Sequence, residues 1–121
     1  MKLPRSRRLT KRSDFQQVRT RGKSIRGRYL VLGYLEEPSL PEPFQLGLIT
    51  TRKLGNAVVR NRVRRRLRGI AQRIGTGFEP GHKLVLIARH AASEATSVQL
   101  EKEWKWLMHQ ASLMRPKEEE S

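Results

Sequence analysis

The chain has 121 residues, which is enough for one domain with a modest core but leaves no room for a separate catalytic domain. It contains no cysteine, and this excludes a disulfide framework, a thiol nucleophile and a Cys-based zinc site. No run of about 18 apolar residues could span a membrane, and no apolar signal-peptide segment follows the basic N-terminus. We therefore expect a cytoplasmic protein.

The formal net charge of +15 is unevenly distributed along the chain. Residues 1–75 carry 20 Lys or Arg and 4 Asp or Glu, whereas residues 76–121 carry 6 and 7. No acidic residue lies between Pro43 and Phe78. Because an ordinary solvated surface mixes both signs, this asymmetry indicates a contact face for a polyanion. Nucleic acid fits best; an anionic membrane surface and general solubility are the alternatives.

The N-terminal part predicts an arm and a short helix. Residues 1–12 are basic, contain a proline and lack an apolar period, so we expect a flexible arm. The run SDFQ at residues 13–16 has the form of a capping box and predicts a helix that ends near Gly22. Phe15 and Val18 would share one face of this helix.

Three segments have β character. The runs at residues 29–35 and 44–50 are separated by a proline-rich turn, and we expect them to pair as a hairpin. The segment KLVLIAR at residues 83–89 is apolar without alternation, which is typical of a strand buried on both faces.

Two further helices are predicted from caps and periodicity. Asn56 is a suitable N-cap for a helix whose apolar residues recur within an arc of about 80°. A capping box at residues 96–99 begins the last helix, and Trp104 lies on its apolar stripe, so we assign Trp104 to the core. We expect residues 116–121 to form a loose acidic tail. Residues 13–115 therefore predict a single α+β domain.

Seven arginines lie between positions 60 and 73, and they occupy every direction around the central helix except its apolar stripe. Five Arg–Arg pairs are helical neighbours, each costing roughly 0.2–0.5 kcal/mol unless anions compensate. The planar guanidinium can bind two phosphate oxygens and still stack on a base. The pattern predicts a helix that lies against a folded nucleic-acid backbone. It leaves RNA and DNA both open.

The sequence offers no catalytic or metal-binding group. His82, His90 and His109 do not have the spacing of metal ligands, and we interpret them as surface or edge residues. Glu101 and Glu103 lie on different faces of a helix and make a poor acid–base pair. We therefore expect that the chain does not cut RNA by itself.

The central motif resembles that of a known family. The run GNAVVRNRVRR at residues 55–65 is similar to the Arg-Asn-Arg signature of the bacterial ribonuclease P protein. Further similar blocks follow the family order over roughly residues 9–115. They are SDFQQV at 13–18, LGLI at 46–49 continuing into Arg52-Lys53, and IAR at 87–89.

The resemblance implies a fold and a function. The fold is an α-β-β-β-α-β-α sandwich with a four-stranded sheet, shared with a ribosomal protein domain, and a left-handed βαβ crossover, a hand that is rare in general. The function is that of the protein subunit of ribonuclease P, an endoribonuclease that removes the 5′ leader of precursor tRNA. The RNA subunit would carry the chemistry, with Mg²⁺ bound mainly by RNA and substrate. No obligate protein partner and no membrane are implied.

The resemblance also implies two RNA-binding surfaces. A cleft between the first helix and the sheet would hold the leader, through Phe15, Arg19, Arg52 and Lys53. From the residues alone Phe15 could equally be a core residue, and it could be both. The arginine helix would bind the catalytic RNA through Asn56, Arg60, Asn61, Arg62, Arg64, Arg65 and Arg68.

Two departures from the family pattern concern aromatic residues. Arg19 stands where the family often has a second aromatic, and the sheet aromatic of the cleft would fall at Gly33, with Tyr29 and Tyr34 nearby. Single strands are usually held by stacking their bases on aromatic side chains. Because these aromatics are missing here, we expect the cleft to hold the leader more by charge.

Two other functions share the basic composition. A ribosomal or ribosome-assembly protein would bind RNA without a processing role, but it would not require the cleft at Phe15. A DNA-binding architectural protein is a third possibility, although helices that read bases usually present more varied polar residues.

Overall fold

The computed structural model describes residues 8–9, 11–40, 44–74 and 81–113. Among them, no helix combines the length and apolar character needed to cross a membrane. The described part of the chain contains two short 3-10 segments, a turn at Arg52–Leu54 and a helix at His90–Glu94. The helices and strands follow the predicted α-β-β-β-α-β-α order: α1 (Arg12–Arg21), β1 (Lys23–Arg26), β2 (Leu30–Glu36), β3 (Phe44–Ile49), α2 (Ala57–Ile74), β4 (His82–Ala88) and α3 (Ser97–Gln110).

The four strands form one mixed sheet in the order β1-β2-β4-β3. β2 is antiparallel to both β1 and β4, and β3 is parallel to β4 with Leu46 opposite Leu84. The predicted hairpin between β2 and β3 is therefore wrong, because β4 lies between them. An apolar strand such as β4 gains most from a position where helices cover both of its faces. The β3–α2–β4 crossover is confirmed, and its left hand stays a prediction.

Helices cover both faces of the sheet, and β4 shows the division. Leu84 and Leu86 belong to the large core under α2 and α3, whereas Val85 and Ile87 pack on the side of α1. The large core stabilises the fold by about 1.5–3 kcal/mol for each large apolar side chain buried. Its members with at most 1% exposure include Leu30, Leu32, Phe44, Leu67, Ile70, Leu84, Leu86, Leu100, Trp104 and Leu107, which confirms the assignment of Trp104.

A buried ion pair holds α1 on its face of the sheet. Lys83 is 9% exposed and lies in the same row of β4 as Val85. Its Nζ is 3.1 Å from Oδ1 of Asp14 and 3.0 Å from Oε1 of Gln17. Because a buried ammonium is costly unless it is paired and hydrogen-bonded, these bonds fix where α1 can lie.

The chain before α1 is tied to the edge strand β3. The N–H of Leu9 donates to the carbonyl of Leu46 at 2.9 Å, and Leu9 is buried. Arg8 forms a parallel bridge with the same residue. The predicted flexible arm is thus wrong at Arg8 and Leu9, and also at Lys11 and Arg12, which are the N-cap and the first residue of α1. Residues 1–7 and 10 of the arm and the predicted tail at 116–121 lie outside the described residues, so the domain boundaries stay predictions.

The predicted helix starts had different outcomes. The capping box at Thr96 is confirmed, with reciprocal bonds to Gln99, and Asn56 caps α2 by accepting from the N–H of Val59 at 3.0 Å. The capping box at Ser13 is wrong, because Ser13 lies inside α1; the N-cap is Lys11, two residues earlier, and it makes no side-chain capping bond. The nearby attachment of Leu9 to β3 fixes this entry to the helix by a tertiary contact.

Candidate nucleic-acid interface

The arginine helix α2 is positioned by its apolar stripe. Val63, Leu67 and Ile70 are fully buried in the large core, so the remaining directions of the helix face outward. Gly55 precedes the helix with φ +147°, where any Cβ would lie 3.0 Å from the Cβ of Val59. Only glycine adopts this conformation readily, so the tight entry to the helix depends on it.

Three arginines in the first three turns of α2 also bind the protein. Arg62 donates to the carbonyl of Ser93 at 3.2 Å, and Arg66 donates to that of Ala95 at 2.5 Å. These two bonds join α2 to the segment that leads into α3. Arg64 donates to Oγ1 of Thr50 at 2.5 Å and to Oδ1 of Asn61 at 3.2 Å.

The other predicted arginines of α2 lack such bonds. Within the described part of the chain, Arg60, Arg65 and Arg68 have no hydrogen-bond or ion-pair partner. Arg65 and Arg68 are exposed. Their guanidinium groups keep all their donors available for phosphate oxygens, so they are the strongest candidates for direct contact with RNA.

Among the described residues, one carboxylate, that of Glu101, neutralises part of the positive charge of α2. Nε of Arg73 lies 2.8 Å from Oε1 of Glu101 on α3, and Lys105 reaches the other oxygen at 3.2 Å. The hydrogen bond from Arg73, followed by that from Lys105, outweighs partial burial and lowers the pKa of Glu101. This pair lies in the last turn of α2, so the field over its first three turns stays positive.

A cleft of about 560 Å³ separates α1 from the sheet. Its floor is formed by side chains of β2, β3 and β4, with Gly33 lowering the floor at β2. Three cations, Arg12, Arg19 and Lys23, line it, and no acidic residue does. An apolar floor with cationic walls suits a single strand, whose bases can pack below while its phosphates meet the charges. The complete lining is Arg12, Phe15, Gln16, Val18, Arg19, Gly22, Lys23, Ser24, Val31, Gly33, Ile49, Val85 and Ile87.

Phe15 lies at the boundary of this cleft. It packs on a small apolar cluster of Leu9, Val18 and Val85 and is only partly buried. It also lines a smaller cavity of about 220 Å³ at the β3 edge, together with Arg64 and other residues. Phe15 is therefore both a packing residue and a cleft residue, which the sequence had left open.

The four predicted leader residues fall in two places. Phe15 and Arg19 line the cleft, whereas Arg52 and Lys53 are exposed in the 3-10 turn before α2 and are not part of the lining. They follow closely after Ile49, the last residue of β3, which does line the cleft. The seven residues predicted for the catalytic RNA lie together at and along α2, from the N-cap Asn56 to Arg68.

Sequence reasoning missed some cleft residues. Arg12 and Gln16 share the face of α1 that presents Phe15 and Arg19, at spacings of three and four residues. That periodicity could have identified them, but the basic run before the helix drew Arg12 into the predicted arm. Lys23 could not have been identified in the same way, because its place in the cleft depends on β1 pairing with β2.

The aromatic residues near β2 do not supply a stacking surface in the cleft. Tyr29 and Tyr34 pack against the large core on the opposite face of the sheet. At Gly33, a Cβ would lie 3.2 Å from Cγ1 of Val18, so even a small side chain would press on α1. Within the described residues, Phe15 is the one aromatic side chain that lines the cleft.

Comparison with known proteins agrees with this architecture. A family model described as Ribonuclease P matches residues 3–112. The ribonuclease P protein components of Bacillus pumilus and Staphylococcus carnosus are 34% and 35% identical over 120 and 106 residues. These matches cover 94% and 88% of this chain, and 95% and 90% of the relatives.

Two solved structures have the same fold. The ribonuclease P protein of Staphylococcus aureus superposes with a TM-score of 0.82 at 27% identity, covering 90% of this chain and 98% of that one. The Thermotoga maritima protein gives 0.74 at 26% identity, with coverage of 84% and 96%. The chain therefore belongs to the ribonuclease P protein family, whose members are the protein components of the enzyme that processes the 5′ ends of tRNA.

Proposed function

We propose that this chain binds the catalytic RNA of ribonuclease P through the outward face of α2 and the 5′ leader of precursor tRNA through the α1 cleft. One observation carries the proposal: the cationic face of α2 and the cleft meet at the β3 edge. There Phe15 lines the cleft on one side, and on the other it lines the small cavity shared with Arg64 and Arg68. RNA held on α2 would thus lie close to RNA held in the cleft.

The two surfaces differ in their chemistry and therefore suit different RNA ligands. Arg60, Arg65 and Arg68 offer forked cationic donors on a rigid helix, which suits the phosphates of a folded RNA. The cleft combines an apolar floor with scattered cations, which suits a flexible single strand. Members of the family are parts of an endoribonuclease complex, and in this proposal the protein positions the substrate and neutralises charge while the RNA subunit cleaves.

Mg²⁺ would be held by the RNA subunit and the substrate rather than by this chain. Within the described residues, no group of three or more Asp, Glu or His is placed to hold a metal ion. The cleft lining likewise contains no carboxylate. The donor set does not fit Mg²⁺, a hard cation that prefers oxygen ligands, so we derive no step through a metal bound to the protein.

Reconstitution tests the proposal. The purified protein alone should leave precursor tRNA intact, and adding it to the cognate RNA at limiting Mg²⁺ should restore removal of the leader. The RNA that co-purifies with a tagged protein from cells should be a single species of ribonuclease P RNA. Ribosomal RNA as the main co-purified species, or robust cleavage by the RNA-free protein, would contradict the proposal.

A further inference from the structure

A second groove lies at the β1 edge of the sheet, opposite the β3 edge. It has a volume of about 550 Å³ and is bounded by the end of β1, the turn that follows it and one face of α3. Trp106 forms one wall and is 49% exposed. Among the described residues it is the one aromatic side chain more than a third exposed. A single exposed ring is ordinary on a protein surface, so the significance of Trp106 depends on the groove that it lines and on the charges around it.

The groove is cationic around its aromatic wall. Arg26, Arg28 and Lys102 are exposed and line it. The guanidinium of Arg28 is held 5.4 Å from the centre of the Tyr29 ring, which orders the charge beside the groove. A flat aromatic face flanked by cations is the combination that binds an unpaired nucleotide, with the base on the ring and the phosphates on the charges.

The one carboxylate in the groove is already engaged. Oε1 of Glu103 accepts from the N–H of Arg28, and Oε2 accepts from those of Tyr29 and Leu30, all at 2.7 Å. Gly27 permits this approach, because a Cβ there would lie 2.5 Å from Cδ of Glu103. Three backbone dipoles directed at one carboxylate offset much of its charge, so the groove keeps a positive potential toward an anion.

The strand β1 connects this groove with the α1 cleft. Arg26 is paired with Val31 and Ser24 with Gly33, so these four residues lie on the same face of the sheet. Val31, Gly33 and Ser24 line the cleft, and Arg26 lines the groove. Because the groove lies on the α3 side of the sheet and the cleft on the α1 side, a strand that leaves the cleft would pass round the β1 edge, where it would meet Arg26 before Trp106.

We propose that the Trp106 groove is a distal subsite for the single-stranded leader, which stacks an unpaired base on Trp106 after the strand has crossed β1. This inference rests on the proposed leader cleft and extends it past the sheet edge. Charge complementarity favours RNA over an apolar or cationic protein partner. Continuity with the cleft favours the leader over a separate RNA segment.

The test compares variants across a graded series of leader lengths in the reconstituted holoenzyme. Trp106→Ala should leave the affinity for short leaders unchanged and lower it about five- to tenfold once the leader exceeds a threshold length, the lower end of the loss for one stacked base. Val98→Ala is the matched control, because Val98 is 75% exposed on the same helix but does not line the groove. It should have no effect at any length.

Fluorescence gives a second readout. Trp104 is buried, so quenching by a bound leader should come from Trp106, should begin at the same threshold length and should vanish in Trp106→Ala. An equal loss at all lengths, no loss at any length, or a change in oligomeric state in place of RNA affinity would each overturn the inference. Failure of the α1 cleft is distinguishable from failure of the Trp106 groove. If the cleft did not bind the leader, Phe15→Ala would leave the affinity for short leaders unchanged.

Discussion

The ring of Phe15 lies directly on the backbone of Gly47 in β3. A Cβ built on Gly47 would lie 2.6 Å from Cζ of Phe15 and 3.3 Å from Cβ of Leu9. Real Cβ atoms do not approach so closely, so the absence of a side chain at position 47 sets how deeply the ring sits. The depth of the ring in turn sets the edge of the α1 cleft.

Gly47→Ala should therefore displace Phe15 without altering any charge. We expect a loss of about 1–3 kcal/mol in unfolding free energy, as for other overpacked sites, together with weaker binding of precursors that carry a leader. Urea unfolding and equilibrium binding to the holoenzyme measure the two effects.

Gly69→Ala is the control for Gly47→Ala. A Cβ at Gly69 would meet only Nη1 of Arg73, at 3.5 Å, in the interior of α2. It should leave leader binding unchanged and be neutral or stabilising by up to about 1 kcal/mol. If Gly47→Ala behaved like Gly69→Ala in both measurements, the packing of Phe15 on β3 would not define the cleft.

Much of this fold could be predicted from local signals. α2 and α3 have strong apolar periods and side-chain caps at Asn56 and Thr96, so their starts depend on residues close in sequence. The start of α1 and the burial of Leu9 depend on β3, far along the chain, and local signals gave the wrong cap. The predicted pairing of β2 with β3 was wrong for a similar reason. Its true partner β4 comes after α2 in the chain and lies between β2 and β3 in the sheet.

The candidate site shows the same difference between what local sequence signals predict and what depends on contacts between distant residues. The arginines of α2 lie on one continuous helix, so their common face could be predicted from periodicity alone. The cleft is assembled from five elements, and of its lining the sequence predicted only Phe15 and Arg19 as leader contacts. The pairing of Lys83 with Asp14 could not be predicted, since it joins residues 69 positions apart. This pair fixes the helix that forms the cleft wall.

Arg65 and Arg68 should contribute to RNA affinity and little to folding. The double variant Arg65→Ala with Arg68→Ala should weaken binding to the catalytic RNA. It should also reduce the slope of log affinity against log salt by about 1.4–1.8 if each contacts one phosphate. Its melting temperature should stay close to that of the wild type, since neither residue has a partner among the described residues.

Arg66→Ala provides the contrast. It removes the bond to the carbonyl of Ala95 and leaves that partly buried group unsatisfied, so the variant should lose about 1–3 kcal/mol of stability. A salt slope unchanged by the Arg65/Arg68 double variant would show that this face of α2 is not the contact.

The pair of Arg73 and Glu101 predicts a pH effect on stability. Because the folded state lowers the pKa of Glu101, the pair stabilises the protein above the ordinary carboxylate range, and this contribution is lost as the pH falls through the folded pKa. Glu101→Gln should cost a few tenths to about 1 kcal/mol at pH 7, given the exposure of Arg73, and the difference should shrink as the pH falls from 7 through the folded pKa. Urea midpoints across this range measure it.

Glu94→Gln is the control for the pH effect. Glu94 is an exposed carboxylate outside that pair, and its replacement should shift the midpoint little at any pH. A difference between Glu101→Gln and the wild type that did not shrink as the pH fell into the acid range would assign the effect to something other than the charge of Glu101.

Phe15→Ala separates the two RNA surfaces most directly. Phe15 lines the cleft but is only half-buried in a small cluster, so a folded variant should be obtainable. Binding of precursor tRNA with a leader should weaken by about 1–3 kcal/mol if one stacked base is lost, and by less if Arg19 and Lys23 hold the strand by charge. Binding of mature tRNA, which has no leader, should barely change, and assembly with the catalytic RNA should be retained. The measurement compares both tRNAs at matched folded fraction, because a purely structural role would lower the melting temperature and weaken both alike. Equal losses on the two tRNAs would therefore remove Phe15 from the leader site and leave it as a packing residue between α1 and β3.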